Sequence, residues 1–443
     1  MRILEYTLGL PPYRRGGLVK YSLDLTRELS KTNTVYLMYP GQINPINREK
    51  VKYKLKKSTE NFQVIEMLNP LPVSLGLGIS EEISFMEKRD ITDISRLLQK
   101  LKIEVVHLHT LMGLPLELLQ EIKRQGIKII FTSHDFYGLC PKMLDDDPEA
   151  VLGEYRCTDD CMLCKDGPSK QKLYIMQSHV YAYLKNSSFV KKIRANEKNN
   201  LKDSGNIVSI VDQDKITNRV RLREYYLTMF ECIDKFHFNS NISKEYIERF
   251  LPTVEGKVVQ LTHTGLSDKR QARSYNTRKE KLILGYIGPY DQKKGFFKFK
   301  QSLEELRQLN DKFEVFFCGD VASDPFFENS WVTNLGVVTQ RELADIYQKL
   351  DILVVPSKWH ETFGFVVLEA ASFGVIPLVS ENVGAKDLLS ENFTFKLDEL
   401  APMLANLASD ASSISVLRKD LLELSLPVNF SEHTKKIMKE FYV

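Results

Sequence analysis

A chain of 443 residues is at least two domains long at roughly 100 to 200 residues apiece, which excludes a single small binding module. Its 61 Lys and Arg against 58 Asp and Glu leave a formal charge of +3. That is too little for the pervasive positive field of a non-specific nucleic-acid binder, so nucleic acid is not an expected partner and any basic site has to be local. With 43% hydrophobic and 27% charged residues, the chain can bury a core rather than stay disordered.

The first residues, Met1 to Thr7, run straight into a strand-like segment without the apolar stretch of a secretory signal. Nothing further on reaches the roughly 18 to 20 apolar residues of a membrane span, so the expected location is the cytoplasm. There the six cysteines read as thiols or metal ligands before disulfides.

In chain order, short β-branched and aromatic runs occur at Ile3–Thr7, Thr34–Tyr39, Phe62–Met67, Glu104–Thr110 and Lys128–His134, with longer amphipathic segments between them. Strand alternating with helix is the pattern of a parallel α/β sheet. After the first strand come Gly16 and Gly17, a paired-glycine turn before an amphipathic helix that carries Tyr21, Leu25 and Leu29 on one face. Arg14 and Arg15 stand beside it as candidate phosphate contacts. Val105–Thr110 holds His107 and His109 on one face of a strand end, a pair that could bind metal but for which no third ligand is evident. His134 follows where the next strand runs out.

The rhythm then breaks, from about 140 to 206. Cys140, Cys157, Cys161 and Cys164 form a cluster whose four thiolates suit a tetrahedral structural zinc. Between Lys165 and Lys202, nine Lys or Arg face one Asp and one Glu, interleaved with Tyr174, Tyr181, Tyr183 and Phe189. That stretch reads as a solvated helix face or as a patch resting on an anionic membrane surface. The whole segment is taken as an insertion.

A polar stretch from Ser267 to Lys281 divides the chain into an N-terminal domain (1–266) and a C-terminal domain (267–443). The strand rhythm restarts at Leu282–Gly288, Phe313–Gly319, Ile352–Pro356 and Val375–Ser380. Two doubly wound domains facing across a cleft are expected, with ligand beyond the carboxyl ends of the strands. The final helix is expected to pack back on the N-terminal domain. Between Pro356 and Gly374 a strand ends in a polar turn holding Glu361. An apolar helix then starts near Gly364 and carries one carboxylate, Glu369. A charge among apolar residues needs a partner, and the free N–H groups of a helix start make an anion site.

The spacing of Glu361 and Glu369, with Pro356–Ser357 before and Glu369-Ala-x-x-x-Gly374 after, resembles the E-x7-E region of retaining glycosyltransferases of family 4, which have the GT-B fold of two Rossmann-like domains. Tyr286-Ile287-Gly288 with Lys294-Gly295, Asn334-Leu335-Gly336 with Glu342, Leu343 and Tyr347, and Val383-Gly384-Ala385 extend the similarity over most of 282–390. The resemblance implies a nucleotide diphosphate-sugar donor in the second domain and a glycan or lipid-linked glycan acceptor in the first. It implies that Lys294 holds the diphosphate, that Glu369 binds the ribose, and that Glu361, Gly364 and Phe365 contact the sugar. His134 approaches that sugar, while Gly16, Gly17 and Gly288 border the donor. One departure stands out: Pro289 replaces the family's usual arginine. Lys294, helix dipoles or another base such as Lys293 or Lys358 then have to neutralise the diphosphate. No cofactor is implied for the chemistry. A non-catalytic GT-B subunit that binds glycan or stabilises a partner enzyme is the rival reading.

Overall fold

The computed structural model describes residues 1–44, 47–74, 79–139, 168–178, 181, 213–273, 281–321 and 324–443. Two sheets organise them. The first follows the order β3-β4-β2-β1-β5-β6-β7-β8 and the second β11-β10-β9-β12-β13-β14. In the first, β1 (Arg2–Tyr6), β2 (Thr34–Pro40), β4 (Gln63–Leu68), β5 (Val105–Leu108), β6 (Lys128–Thr132), β7 (Lys235–Phe238) and β8 (Gly256–Val258) run parallel. Only β3 (Lys52–Lys56), an edge strand carrying three lysines, is antiparallel. In the second, β9 (Leu282–Ile287), β10 (Phe313–Cys318), β11 (Val332–Asn334), β12 (Ile352–Val355), β13 (Ile376–Ser380) and β14 (Thr394–Phe395) are all parallel.

Parallel sheets are covered on both faces. The first is covered by α1 (Gly17–Leu29), α2 (Thr92–Leu101), α3 (Leu116–Arg124), α4 (Lys170–Met176), α5 (Gln213–Glu231) and α6 (Asn241–Phe250). The second is covered by α7 (Phe296–Leu309), α8 (Gln340–Lys349), α9 (Phe365–Ser372), α10 (Leu400–Ser409) and α11 (Ala411–Glu423). A last helix, α12 (Phe430–Ile437), continues into a π-helical turn, Met438–Tyr442, and crosses back to the first domain. Tyr21 of α1 meets His433 Nε2 at 2.8 Å, Lys128 Nζ donates to the Val443 carbonyl oxygen, and the rings of Phe441 and His237 lie 5.1 Å apart.

Each sheet reverses its winding at its first strand: β1 lies between β2 and β5, β9 between β10 and β12. A crevice opens beyond the carboxyl ends of strands at such a switch point. The two crevices face each other, and one apolar cluster is continuous between the domains, joining Tyr21 and Leu25 to Val367, Leu368 and Phe430. The short helical turn Arg270–Ala272 ties the start of the second domain to its end, because Arg270 donates to the carbonyls of Leu421 and Leu424.

Candidate active site

The interdomain cleft has a volume of about 1240 Å³ and is bordered by Gly16, Gly17, Lys20, His134, Gly288, Lys294, Glu361, Gly364, Phe365 and Glu369 among others. His134, Lys294, Glu361, Glu369 and the glycines singled out beside them therefore meet in one place. The segments that carry them follow β1, β6, β9 and β12.

The Glu361 turn is held from both sides. Glu361 N–H donates to Asn382 O, Gly384 N–H to Glu361 O, and Ala385 N–H to Phe363 O. From the first domain, Ser240 Oγ donates to Thr362 O, and Thr362 Oγ1 donates to the His134 carbonyl at 2.9 Å. The Glu361 carboxylate lies 3.1 Å from Lys294 Nζ and is 12% exposed. Helix α9 then begins at Gly364, whose φ of 100° belongs to the left-handed region that glycine occupies without a Cβ penalty. Lys294 is aimed by Gly295, at φ 73°, whose missing Cβ would fall 1.7 Å from Pro356 O. A side chain at 295 would push the lysine loop off the end of β12.

Glu369, one helical turn into α9, has the partners its burial demands. Tyr347 OH donates to Oε2 at 3.1 Å, while His263 Nε2 lies 2.9 Å and Lys20 Nζ 3.8 Å from Oε1. Because His263 Nδ1 accepts from Gly265 N–H, a neutral ring carries its proton on Nε2 and donates it to Glu369. Burial lowers the Lys20 amine from its ordinary value, and Glu369 and then Asp24 pull it back up. Tyr347 stands in the stretch matched in sequence, but Lys20 and His263 were not legible there: Lys20 lies early in α1 and His263 in a loop after β8, both far from Glu369 along the chain. The two domains meet here at close range. A Cβ on Gly17 would lie 3.0 Å from the Phe365 ring, and that ring packs edge-on to His263 at 5.6 Å.

Of the groups named in place of the absent arginine at 289, Lys294 borders the cleft. Lys293 sits 5.3 Å over the Trp359 ring, and neither it nor Lys358 borders the cleft, whereas Arg15 and Lys20 do. Arg14 folds against Gly9, where a Cβ would meet its Cγ at 2.4 Å. The spare cations thus come from the first domain, through a loop and helix that only tertiary structure brings near.

His134 is backed by His109, His107 and Glu5. His109 Nε2 is 2.7 Å from Glu5 Oε2. The third group missing beside the histidine pair is Glu5, whose ligand atom lies within 4.8 Å of theirs, but hydrogen bonds occupy these atoms. The signal for Glu5 was one carboxylate flanked by the apolar residues of the first strand. Burial pushes its carboxyl up, more than His107 and the Tyr442 hydroxyl pull it down. Burial pushes His107 and His109 down to about 3 and lowers His134 strongly, its histidine neighbours adding to the effect. Cys140, Cys157, Cys161 and Cys164, and most of the basic stretch from Lys165 to Lys202, lie outside the described residues. Cys232 and Cys318 are buried thiols.

Residues 267–399 match the family model described as Glycosyl transferases group 1. A 42.6 kDa protein from the cps region of Klebsiella pneumoniae is 23% identical over 353 residues, covering 79% of this chain and 72% of that protein. Among solved structures, a sucrose-phosphate synthase from Thermosynechococcus elongatus superposes with a TM-score of 0.58 at 13% identity, covering 99% of this chain and 97% of that one. HepE of Anabaena, solved in complex with UDP and glucose, superposes with a TM-score of 0.51 at 12% identity over 99% of this chain and 98% of its own. WaaG, a glycosyltransferase involved in lipopolysaccharide biosynthesis, gives 0.53 at 12% identity, covering 99% of each chain. No helix among the described residues is long and apolar enough to cross a membrane. The chain has the GT-B fold, and its second domain carries the group 1 glycosyl transferase signature.

Proposed function

We propose that the protein is a retaining glycosyltransferase that moves a sugar from a nucleoside diphosphate to a hydroxyl of a glycan or lipid-linked glycan. The observation that carries this reading is the cleft itself. A lysine–glutamate pair and a helix N-terminus open into the same space as the half-buried Glu369 carboxylate one turn further on. Glu369 is held with its oxygens engaged by Tyr347 and His263, groups that a ribose diol replaces or joins. Lys294, standing at Glu361, is the point charge for the departing diphosphate, together with the free N–H groups of α9. Such preorganised donors stabilise charge as it develops in the transition state. Closure of Arg15 and Lys20 over the donor supplies positive charge that Pro289 cannot. Glu361 and His134 orient the sugar, and exclusion of water limits hydrolysis.

HepE was solved with UDP and glucose, which supports a nucleotide-sugar donor, and the cps-region relative supports assembly of a capsular polysaccharide. Incubation with a panel of nucleotide-sugars is expected to reveal slow hydrolysis of one donor. A panel that gives neither hydrolysis nor binding points to the non-catalytic subunit instead. Proton NMR of a fresh product is expected to show the donor's anomeric configuration kept, and inversion overturns the retaining assignment. The four clustered cysteines are assigned a structural zinc, checked by elemental analysis of protein purified without added metal. The basic stretch is assigned to an anionic membrane surface on the cytoplasmic side. Salt-sensitive co-sedimentation with anionic but not neutral vesicles checks that assignment.

A further inference from the structure

Behind His134 runs a chain of polar side chains that the cleft chemistry does not use. His134 Nε2 meets His109 Nδ1 at 3.1 Å, and His109 Nε2 meets Glu5 Oε2 at 2.7 Å. Glu5 Oε1 is 2.9 Å from the Tyr442 hydroxyl, which is 2.7 Å from His107 Nδ1. His107 Nε2 meets Thr132 Oγ1 at 2.7 Å, that oxygen is 2.9 Å from His237 Nδ1, and His237 Nε2 ends the chain on the Val259 carbonyl at 2.7 Å. Every member except His134 is buried, so each proton has to find its acceptor within the chain.

The far end sets the direction. A carbonyl only accepts, so His237 carries its proton on Nε2 and, being neutral, accepts at Nδ1 from the Thr132 hydroxyl. The Thr132 oxygen accepts from His107 Nε2–H, and His107 Nδ1 faces the Tyr442 hydroxyl. Nearer the cleft, that hydroxyl donates to Glu5 Oε1. Glu5 Oε2 accepts from His109 Nε2–H, and His109 Nδ1 accepts from His134 Nε2–H. His134 Nδ1, with no protein partner among the described residues, is left as a bare acceptor in the cleft. An imidazolium at His109 would reverse the last step and present Nδ1–H instead. The same core also contains Tyr21, whose ring lies 5.2 Å from that of His134 and whose hydroxyl is taken by His433. Lys436 disfavours charge on His237 and His433.

We propose that Glu5 is a positioning residue: with Oε2 as the acceptor it holds His109, and through it His134, in the tautomer that presents a bare Nδ1 to the cleft. The 2.7 Å contact of His109 Nε2 with Glu5 Oε2, the 3.1 Å contact of His109 Nδ1 with His134 Nε2 and the burial of Glu5 and His109 support it, as does the low basicity of His109. A ligand group facing Nδ1 then has to bring a proton. A sugar hydroxyl does so, whereas a carboxylate would set lone pair against lone pair. This consequence for the donor rests on the glycosyltransferase reading, but the proton positions do not.

The test uses the full chain labelled with 15N-histidine at neutral pH. Two-bond proton–nitrogen spectra are assigned by the signals lost in His109→Gln and His134→Gln. His109 and His134 are expected each to show one protonated nitrogen, Nε2. Glu5→Gln, whose amide oxygen can still accept from His109, is expected to leave both tautomers unchanged. A doubly protonated His109 or His134, an Nδ1–H tautomer at His134, or a tautomer mixture in folded Glu5→Gln overturns the proposal. Failure of the glycosyltransferase reading would appear in the donor panel and leave these spectra as expected.

Discussion

Glu361 and Glu369 differ in what holds them, so their removal should be felt differently. Glu369 is braced by a histidine, a tyrosine and a lysine and has two acceptor oxygens where a ribose would lie. Losing hydrogen bonds to a charged group costs about 1.5 to 3 kcal/mol, so Glu369→Ala is expected to weaken nucleoside diphosphate binding roughly 10- to 100-fold. Calorimetry checks this, and unchanged affinity rejects the ribose role. Glu361 sits in a rigid turn against Lys294. Glu361→Ala is expected to lower turnover with little change in nucleotide affinity, read as a fall in kcat with KM nearly constant.

At the scale of elements, the lysine loop and α9 are set by close backbone approach rather than by side-chain packing. Gly295 combines a left-handed φ with a missing Cβ that would press on the Pro356 carbonyl. A left-handed alanine costs roughly 1 to 2 kcal/mol, and displacing β12 adds to it. Gly295→Ala is accordingly expected to lower the denaturation midpoint and to weaken nucleotide binding, because Lys294 moves with the loop. Gly126 has a similar φ of 72° but nothing within 4 Å of its missing Cβ, so Gly126→Ala is expected to cost only the conformational term. Chemical denaturation of both variants separates strain from steric conflict.

Across the whole molecule, the two domains are joined by a buried polar and aromatic core that the C-terminal segment completes. Phe441 is 1% exposed and packs beside His237. Phe441→Ala is expected to cost about 3 to 5 kcal/mol, measured by denaturation. Acidity should act on the same core. His107, His109, His237 and His433 are pushed by burial from 6.5 down to about 3. A group with a depressed folded value contributes its full stability above pH 6.5 and loses it as pH falls toward about 3, because the unfolded chain takes up the proton first. Each histidine contributes up to about 1.4 kcal/mol per pH unit in that window. Glu5, raised in the fold, acts with the opposite sign. Melting curves from neutral to acidic pH are expected to show Tm falling below pH 6.5, and a flat Tm would mean the histidines are charged in the fold.

The strand and helix periods, the glycine-flanked turns and the carboxylate inside an apolar helix are local patterns. They identify the architecture and most cleft residues because a parallel sheet places its strand ends together whatever the loops contain. The matching strands end near where the apolar runs do, and α9 starts one residue after Gly364. What sequence could not reach were partners brought together from distant parts of the chain. Lys20 and His263 converge on Glu369, and Tyr442 closes on Glu5 across 437 positions. No periodicity encodes such meetings. They follow from where two twisted sheets dock and where the last helix returns, and only that docking decides which nitrogen of His134 carries a proton.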